Sequence, residues 1–313
     1  MQRRIQGYSE IGLGTAEPDH WLRFFLDLGG WRVRWEGPGA DQPLWPPDHP
    51  RPDHEWLLAA DDRGIGQVRL FRFENAVPAP RQAAAVWDTG GIFDLDLRVR
   101  DLARWADALG SEGWSGFSEP VRWPFGDLQI GEWLGRGPDG VVVALVERLH
   151  PPLDPPPPAA GFGFAFNATQ AVRDVDATLA LFEALGFGLR VRHRGPLGGP
   201  GGEMLGLAPE RAPKTPVDLA IAHPSGALEG SVELIALPET PGHDLAADCG
   251  PGRRGVKMLR FPVLGLVALA EALGRAGFAP CATARWTLPP IGPVRGIALQ
   301  TPDGAWLECV EPE

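Results

Sequence analysis

Cysteine, lysine and long apolar runs are scarce in this chain of 313 residues. Its three cysteines, Cys249, Cys281 and Cys309, lie far apart and form no Cys-x-x-Cys pair, which argues against a disulfide framework or a cysteine-based zinc site. No apolar stretch reaches the length of a membrane span, and the N-terminus lacks the apolar run of a signal peptide. We therefore expect a cytoplasmic protein with no membrane partner.

Positive charge is also scarce. The formal net charge is -11, and the arginines are scattered rather than clustered. Nucleic acids and anionic membranes are bound through clustered lysine and arginine, so neither is expected as a partner. The chain has no dinucleotide fingerprint after a strand and no nucleophile elbow, so we expect no nucleotide cofactor and no serine hydrolase.

The most informative feature that the chain does contain is an internal repeat. Residues 101–147 return as residues 265–311, with RWADALGSEGW repeated as ALAEALGRAGF and GPDGVVVALVE as TPDGAWLECVE. The first part of each half repeats more loosely, FFLDLGGWRVR as LFEALGFGLRVR. The chain therefore reads as four units in tandem, with unit 1 like unit 3 and unit 2 like unit 4.

A proline-rich segment separates the two halves. Residues 150–160 read HPPLDPPPPAA, and proline favours an extended, stiff backbone that cannot join a sheet or helix interior. A unit of roughly 60–80 residues is too small to bury much core alone, so we expect units to pair within each half. The prediction is an N-terminal domain over residues 1–149, a linker over 150–160 and a C-terminal domain over 161–313.

Each unit shows the same order of predicted elements. In unit 3, GFGFAFNATQAV is typical of a strand, and the helix that follows has Asp174 at its N-cap position and Gly186 at its end. Three further strands close the unit, and the same β-α-β-β-β order fits the others. The predicted fold class is α+β, with four βαβββ units in tandem.

Paired βαβββ units, a helix ending in LG(F/W) and the final hairpin TPDGAWLE over residues 301–308 resemble the vicinal oxygen chelate superfamily. This superfamily includes glyoxalase I, bleomycin-resistance proteins and extradiol dioxygenases. The resemblance covers essentially the whole chain and implies that two units close into a curved mixed sheet, or cup, around a small ligand. Four units then make two cups. Reactions differ widely across this superfamily, so the fold alone does not give the reaction.

The resemblance also implies metal ligands at one position in the first strand and one in the last strand of each unit. These positions fall on Glu10, Asp94, Asn167 and Val256 in first strands, and on Arg69, Ala144, Glu233 and Glu308 in last strands. The C-terminal half thus offers three oxygen donors, while valine replaces the fourth ligand. Since extradiol dioxygenases need two histidines, ring cleavage is not expected.

Strand alternation singles out Glu308 independently of any family. Trp306, Glu308 and Val310 share one strand face, and the repeated strand has Ala144 where Glu308 stands. Glu233 interrupts an apolar strand in the same way. An isolated buried carboxylate costs several kcal/mol, so each must be paired, metal-bound or protonated.

Three alternatives follow. Asn167, Glu233 and Glu308 could bind a divalent ion (Mg, Mn, Zn, Ni or Fe) that acts as a Lewis acid. Without a metal, Glu308 or Glu233 could act as a general base with a raised pKa. In the third alternative, Glu308 pairs with Arg260 and has no chemical role.

Arginine and tryptophan side chains are the candidate ligand contacts. The Arg-Trp pair at residues 122–123 returns at 285–286, and such side chains could line a cup or simply pack in the core. The candidate ligand-binding residues are Arg260, Arg285, Trp286 and Trp306. Two loops, LWPPDHPRPDHEW over residues 44–56 and GGPGGEMLG over 198–206, are interpreted as surface loops or lids, with no helix in the second.

The sequence therefore predicts a glyoxalase-like lyase or isomerase acting next to a carbonyl of a small organic substrate. The C-terminal cup is the expected site, with Glu308 and Glu233 as catalytic residues or metal ligands. The alternative is a non-catalytic protein of bleomycin-resistance type that sequesters an apolar or aromatic compound. A scaffold with both cups filled by side chains is the third class. We expect a monomer or homodimer.

Overall fold

The structure is a computed structural model that describes residues 4–74 and 77–313. Units 1 and 2 contain the following elements. Unit 1 has β1 (Arg4–Ile5), β2 (Glu10–Thr15), α1 (Pro18–Leu22) continued by a π-helix (Arg23–Leu28), β3 (Arg32–Pro38), β4 (His54–Ala59) and β5 (Gln67–Arg72). Unit 2 has β6 (Ile92–Arg98), α2 (Leu102–Ser111), β7 (Ser115–Gly116), β8 (Val121–Phe125), β9 (Leu128–Arg136), a 3₁₀ turn (Pro138–Gly140) and β10 (Val142–His150).

Units 3 and 4 repeat this order. Unit 3 has β11 (Ala165–Ala171), α3 (Val175–Leu185), β12 (Gly188–Gly195), α4 (Gly198–Met204), β13 (Val217–His223) and β14 (Ser231–Ala236). A 3₁₀ turn (Ala246–Asp248) leads to unit 4, with β15 (Gly255–Leu264), α5 (Leu266–Arg275), β16 (Ala282–Leu288), β17 (Gly292–Gln300) and β18 (Trp306–Pro312). The predicted α+β class with four βαβββ units is confirmed.

Over residues 4–74 and 77–313, the strands form two nine-stranded mixed sheets. One sheet has the order β16-β17-β18-β15-β2-β5-β4-β3, with β1 paired to β15. The other has the order β12-β13-β14-β11-β6-β10-β9-β7, with β8 paired to β9. The first sheet thus joins units 1 and 4, and the second joins units 2 and 3.

This pairing differs from the prediction. At the centre of the sheets, β2 of unit 1 pairs antiparallel with β15 of unit 4, and β6 of unit 2 pairs antiparallel with β11 of unit 3. The expectation that units pair within each half, and that units 3 and 4 build a C-terminal cup, is wrong. The repeat could not reveal this, because four units with the same strand order present similar edges. Each cup takes one unit from residues 1–149 and one from residues 161–313.

The largest hydrophobic core joins the helices to the non-cup faces of both sheets. It contains helix residues such as Trp105 and Phe182 together with Leu95 of β6 and Leu259 of β15. Burial of such aromatic and aliphatic surface is the main stabilising contribution to a domain of this kind. The helices therefore pack on the side of each sheet opposite the cup.

The two predicted ends of α3 are confirmed. Asp174 caps α3 by accepting a hydrogen bond from the backbone N of Ala177 at 3.0 Å, and Gly186 ends the helix with a φ of 106°. Asp303 of the repeated hairpin accepts hydrogen bonds from the Thr178 hydroxyl and the Arg173 backbone N, both at 3.0 Å. This hairpin therefore ties unit 4 to unit 3, across the two sheets.

The three cysteines form no disulfide, as the sequence predicted. Among the described residues, no helix is both long enough and apolar enough to cross a membrane. The cytoplasmic location and the monomer or homodimer state stay predictions.

Candidate functional site

The cup of units 1 and 4, called the filled cup below, is closed by its own charged side chains. Arg260 donates hydrogen bonds to Glu308 Oε2 at 2.8 and 3.0 Å and also to Glu10. Arg69 donates to Glu10 at 2.7 and 3.1 Å and to Glu55 at 3.2 Å. All five side chains are at most 1% exposed. They form a closed ion-pair network in which each charge has a partner.

The pKa values keep this network charged. Burial by itself raises the pKa of Glu10, but the guanidinium groups of Arg69 and Arg260 outweigh burial and hold that pKa at about 2. Burial lowers the pKa of Arg260, while Glu10 and Glu308 reverse this and raise it above its ordinary value. Of the three alternatives for Glu308, the structure therefore shows the ion pair with Arg260.

A tryptophan from the proline-rich loop covers the network. Trp45 is 3% exposed, and its Nε1 donates to Glu308 Oε1 at 2.9 Å. Its ring packs against Phe71 and Phe73, with centroid distances of 5.3 and 6.3 Å. The loop is thus a fixed cover rather than a solvated segment, and we call Leu44 and Trp45 the tryptophan plug.

The candidate ligand-binding residues of unit 4 lie in this filled cup or on the exposed surface. Trp306 is 4% exposed and packs in the cluster of Trp45 and Phe71, with Trp286 partly buried against it. Arg285 is exposed and pairs with Glu313 at 2.9 Å. The structure therefore buries Arg260 and Trp306 in the filled cup and leaves Trp286 partly buried at its edge.

The cup of units 2 and 3, called the open cup below, contains a cavity of about 590 Å³. Its walls are largely apolar and include Trp123, Phe125, Phe166, Met204 and Ile221. The polar side chains that line it include Asp96, Arg98, Glu132, Asn167 and Glu233. A largely apolar pocket with a few converging polar groups is the usual form of a small-molecule site.

The strands bring these polar groups to one face. In β6, Leu95 and Leu97 point to the helix-side core, so that Asp96 and Arg98 alternate onto the cup face. In β14, Glu233 lies between two core residues in the same way. A register irregularity of β11 against β6 near residue 166 places both Phe166 and Asn167 at the cavity.

Hydrogen bonds position Asp96 at the centre of this set. Asn167 Nδ2 donates to Asp96 Oδ2 at 2.9 Å, and the Ser231 hydroxyl donates to Asn167 Oδ1 at 2.7 Å. Trp123 Nε1 donates to Glu132 Oε2 at 3.0 Å. The second oxygen of Asp96, Oδ1, is buried and has no hydrogen-bond partner in the described part of the chain.

The electrostatics single out the same residue. Burial, followed by the charge of Asp96, raises the pKa of Glu132 to about 8 and the pKa of Glu233 well above its usual range. The pKa of Asp94 is raised well above its ordinary value for the same two reasons. Burial also raises the pKa of Asp96, but the hydrogen bond from Asn167, the interaction with the Asp94 carboxyl and the charge of Arg98 oppose it. Glu132, with a pKa of about 8, is therefore protonated near neutral pH, whereas the rise in the pKa of Asp96 is opposed by its partners.

The predicted metal ligands do not come together. Asn167 and Glu233 lie in the open cup, whereas Glu308 lies in the other sheet with Arg260. In the open cup, Asn167 uses both ends of its amide in hydrogen bonds, and Ala144 has no donor. Within residues 4–74 and 77–313, no group of three or more His, Cys, Asp and Glu side chains is arranged to hold a metal ion. The residues as arranged do not fit the metal that the resemblance implies.

Sequence reasoning missed Asp96, Arg98 and Glu132. The signal was present, because Glu132 interrupts the apolar strand LQIGEWLG as Glu233 interrupts SVELIA. Asp96 and Arg98 follow Asp94 at alternate positions of IFDLDLR. The ligand positions implied by the family resemblance do not include these three residues, so the resemblance did not indicate them.

The glycine-rich segment 198–206 differs from its prediction, since residues Gly198–Met204 form the short helix α4. Glycine allows a close approach here: a Cβ on Gly201 would lie 3.0 Å from the ring of Trp123. Met204 and Leu205 line the cavity. The segment therefore covers the open cup, as a helix.

Comparison with known proteins agrees with this architecture. No family model and no curated protein matches the sequence. Among solved structures, glyoxalase I from Zea mays is similar over 99% of this chain and 93% of that chain, with 15% identity and a TM-score of 0.65. A proposed dioxygenase from Bacillus subtilis subsp. subtilis str. 168 is similar over 99% of this chain and 86% of that chain, with 14% identity and a TM-score of 0.63. The resemblance in fold predicted from the sequence is confirmed.

Proposed function

Because the chain has the fold of the vicinal oxygen chelate superfamily, we propose that its open cup catalyses proton transfer next to a carbonyl of a small organic substrate, as an isomerase or a lyase. One observation carries this proposal. Asp96, Glu132 and Glu233 line one cavity with apolar walls, and burial together with the charge of Asp96 raises the pKa of Glu132 to about 8, so Glu132 holds its proton near neutral pH. Neighbouring acids held in different protonation states are what general acid–base catalysis requires.

Asp96 is the base in this proposal. Its unpartnered Oδ1 removes a proton from the carbon next to the carbonyl, while Asn167 holds Oδ2 and fixes the orientation of the carboxylate. A positioned base of this kind contributes roughly 10²- to 10⁴-fold to the rate.

Glu132 is the acid. With a pKa of about 8 it carries a proton at neutral pH, and it gives that proton to the carbonyl oxygen as the C–H bond breaks. The product of this step is a neutral enol, with one proton now on Asp96 and none on Glu132. Return of a proton to a neighbouring carbon completes an isomerisation, and loss of a leaving group from the enol completes an elimination.

Glu233, which the sequence indicated as catalytic, keeps a role as a second acid. Its pKa is raised well above the usual range by burial and by Asp96, so it donates a hydrogen bond to substrate oxygen rather than removing a proton. Glu308 has no part in this chemistry, because it lies in the filled cup, bound to Arg260 and Trp45. No step is assigned to a metal.

The proposal is tested by following hydrogen exchange at carbon. In D₂O, the protein is expected to catalyse deuterium incorporation next to the carbonyl of one or more small ketones or oxo acids, measured by ¹H NMR. The Asp96→Asn variant keeps the size and hydrogen bonding of the side chain but removes the base, so exchange should fall by roughly 10²-fold or more.

Glu308→Gln is the matched control, since it removes the same kind of charge from the other cup. Its exchange rate per folded molecule should equal that of the unaltered protein, measured well below its unfolding temperature. Loss of exchange in Glu308→Gln but not in Asp96→Asn would contradict the proposal.

The apolar walls of the open cup favour one other function, a binding protein that sequesters its ligand without changing it. Binding then depends on surfaces such as Trp123 and Phe166, and the buried acids only orient the ligand. Ligands that raise the unfolding temperature while none of them exchanges hydrogen would support this function against the enzyme.

A further inference from the structure

One wall of the open cup carries a guanidinium without a counter-ion. Arg98 is 7% exposed and lines the cavity, and its guanidinium lies over the Phe166 ring, 3.4 Å from the centroid. Within the described residues, Arg98 has neither a salt bridge nor a hydrogen bond to its side chain. Buried arginines are almost always paired, so an unpaired one that faces a cavity indicates a missing anion.

Two further arginines extend this wall toward the mouth of the cavity. Arg148 and Arg190 both line the cavity, and Arg148 Nε is buried without a hydrogen-bond partner in the described part of the chain. The pKa of Arg98 is lowered to about 10, by burial first and then by Arg148, and the charge of Arg190 contributes to a lowered pKa of Arg148. The three positive charges therefore repel one another.

The acidic groups nearby offset this charge only in part. Asp96 raises the pKa of Arg98, but the net result of burial and of Arg148 is still a lowered pKa of about 10, and within the described residues Asp96 makes no ion pair with Arg98. The charge of Glu229 acts on Arg98 and Arg148, but Glu229 is exposed and makes no ion pair with either within the described residues. Arg192 differs from the three arginines, because it is already paired with Asp176 and Asp218 at 2.9 and 2.8 Å.

We propose that Arg98, with Arg148 and Arg190, forms an anion subsite that binds a carboxylate of the substrate, which makes the substrate an oxo acid with an apolar body. This inference rests on the proposed function and names its substrate class. Guanidinium groups bind carboxylates through two parallel hydrogen bonds, and Phe166 holds the Arg98 fork in place.

A carboxylate fits better than a phosphate. Asp96 and Arg98 lie two residues apart on one strand face, so their Cα atoms are separated by about 6–7 Å. A dianion at that distance would raise the pKa of Asp96 further, so that a smaller fraction of Asp96 is ionised and able to accept a proton near neutral pH, whereas a monoanion does so less. The same spacing places the reactive carbon only a few bonds from the carboxylate.

The test measures binding of an acid and its neutral ester. The acid is 4-oxo-4-phenylbutanoate, which has a phenyl group, a ketone with neighbouring hydrogens and a carboxylate, and the ester is its methyl ester. Calorimetric titration should show that the acid binds and that Arg98→Gln weakens this binding by about 10- to 100-fold, the effect of losing charge-assisted hydrogen bonds. The ester should bind weakly and to the same extent in both proteins.

Arg122→Gln is the matched control, because it removes the same charge from an exposed residue of β8 that does not line the cavity. Acid binding should be unchanged in this variant. Equal binding of acid and ester, or an unchanged affinity in Arg98→Gln, would overturn the subsite. So would the absence of binding by 4-oxo-4-phenylbutanoate, benzoate and hexanoate alike, or tighter competition by inorganic phosphate than by acetate.

The anion subsite and the proposed function can fail independently of each other. If acids bind in an Arg98-dependent way but no compound exchanges hydrogen, the subsite holds and the enzyme proposal fails. If neutral ketones exchange as fast as oxo acids, and Arg98→Gln has no effect on this rate, the enzyme proposal holds and the subsite fails.

Discussion

At the scale of single residues, the same feature has two different outcomes in the two cups. Glu308 and Glu233 each interrupt an apolar strand, and the sequence indicates both for the same reason. Glu308 is opposite Arg260 and forms an ion pair with it at 2.8 Å, whereas burial and the charge of Asp96 raise the pKa of Glu233 well above its usual range. The partner across the sheet, not the residue or its own strand, decides which outcome follows.

The protonation states give a pH dependence. Exchange catalysed by the open cup requires Asp96 ionised and Glu132 protonated. The rate should therefore rise with pH through the pKa of Asp96, which burial raises above its ordinary value, and fall as pH increases through about 8, where Glu132 loses its proton. The measurement is kcat/KM for hydrogen exchange as a function of pH.

The Glu132→Gln variant tests whether Glu132 causes the fall in the exchange rate near pH 8. Glutamine still donates a hydrogen bond but cannot give up a proton, so the rate should be lower and the decline near pH 8 should disappear. If the exchange rate of Glu132→Gln still falls near pH 8, another group must be responsible for that fall.

At the scale of elements, loops decide which cup is open. The loop between β3 and β4 carries the tryptophan plug into the filled cup, while α4 covers the open cup and leaves the cavity beneath it. The sequence predicts both segments as irregular, because proline and glycine favour turns. The side chain of each loop that enters a cup is decided by the sheet below the loop. The sequence pattern contains no information about that contact.

Trp45→Phe tests the contribution of the plug. Phenylalanine keeps most of the apolar contact with Phe71 and Phe73 but leaves Glu308 Oε1 without its hydrogen bond. We expect the free energy of unfolding to fall by about 1.5–3 kcal/mol, the range for a hydrogen bond to a charged group. Urea denaturation monitored by circular dichroism measures it.

Trp306→Phe is the matched control for the plug. Trp306 lies in the same cluster and is similarly buried, but its Nε1 has no hydrogen-bond partner among the described residues. The control should therefore be less destabilised than Trp45→Phe. Equal losses in the two variants would show that ring size, not the hydrogen bond to Glu308, accounts for the effect.

At the scale of the whole molecule, the two sheets interleave the halves of the chain. Every cup needs one unit from residues 1–149 and one from residues 161–313. The contacts within each half, such as those of Asp303 with Thr178 and Arg173, run across the two sheets instead of within one. The boundaries of the two predicted domains match the repeat, but the strand pairing does not make each half an independent cup.

This interleaving predicts how fragments behave. Residues 1–149 and 161–313, produced separately, should each lack a cooperative thermal transition as a monomer, because the central strand of each unit loses its partner and exposes core residues. Mixed in equal amounts, they should regain a single transition and ligand binding in the open cup. Scanning calorimetry of each fragment, alone and mixed, is the measurement.

A cooperative transition in either monomeric fragment would contradict the interleaved pairing and would restore the two-domain organisation first indicated by the repeat. A fragment that unfolds cooperatively only as a dimer would agree with the interleaving, since a second copy then supplies the missing unit.

The sequence by itself determined the repeat, the βαβββ order, the fold class and the helix ends at Asp174 and Gly186. These are local properties, set by hydrophobic periodicity and by backbone preferences within a few residues. It also indicated that Glu233 and Glu308 are unusual, since a charge on an apolar strand face shows in the sequence alone.

Only the tertiary structure decided which units pair, which cup stays open and what each buried carboxyl meets. Glu308 and Arg260 lie in strands of one unit, and this pairing was within reach of the sequence. Asp96 and Asn167 lie 71 residues apart and meet because unit 2 pairs with unit 3. Units with the same order of elements offer similar edges, so their pairing depends on packing across the whole molecule, which no local pattern records.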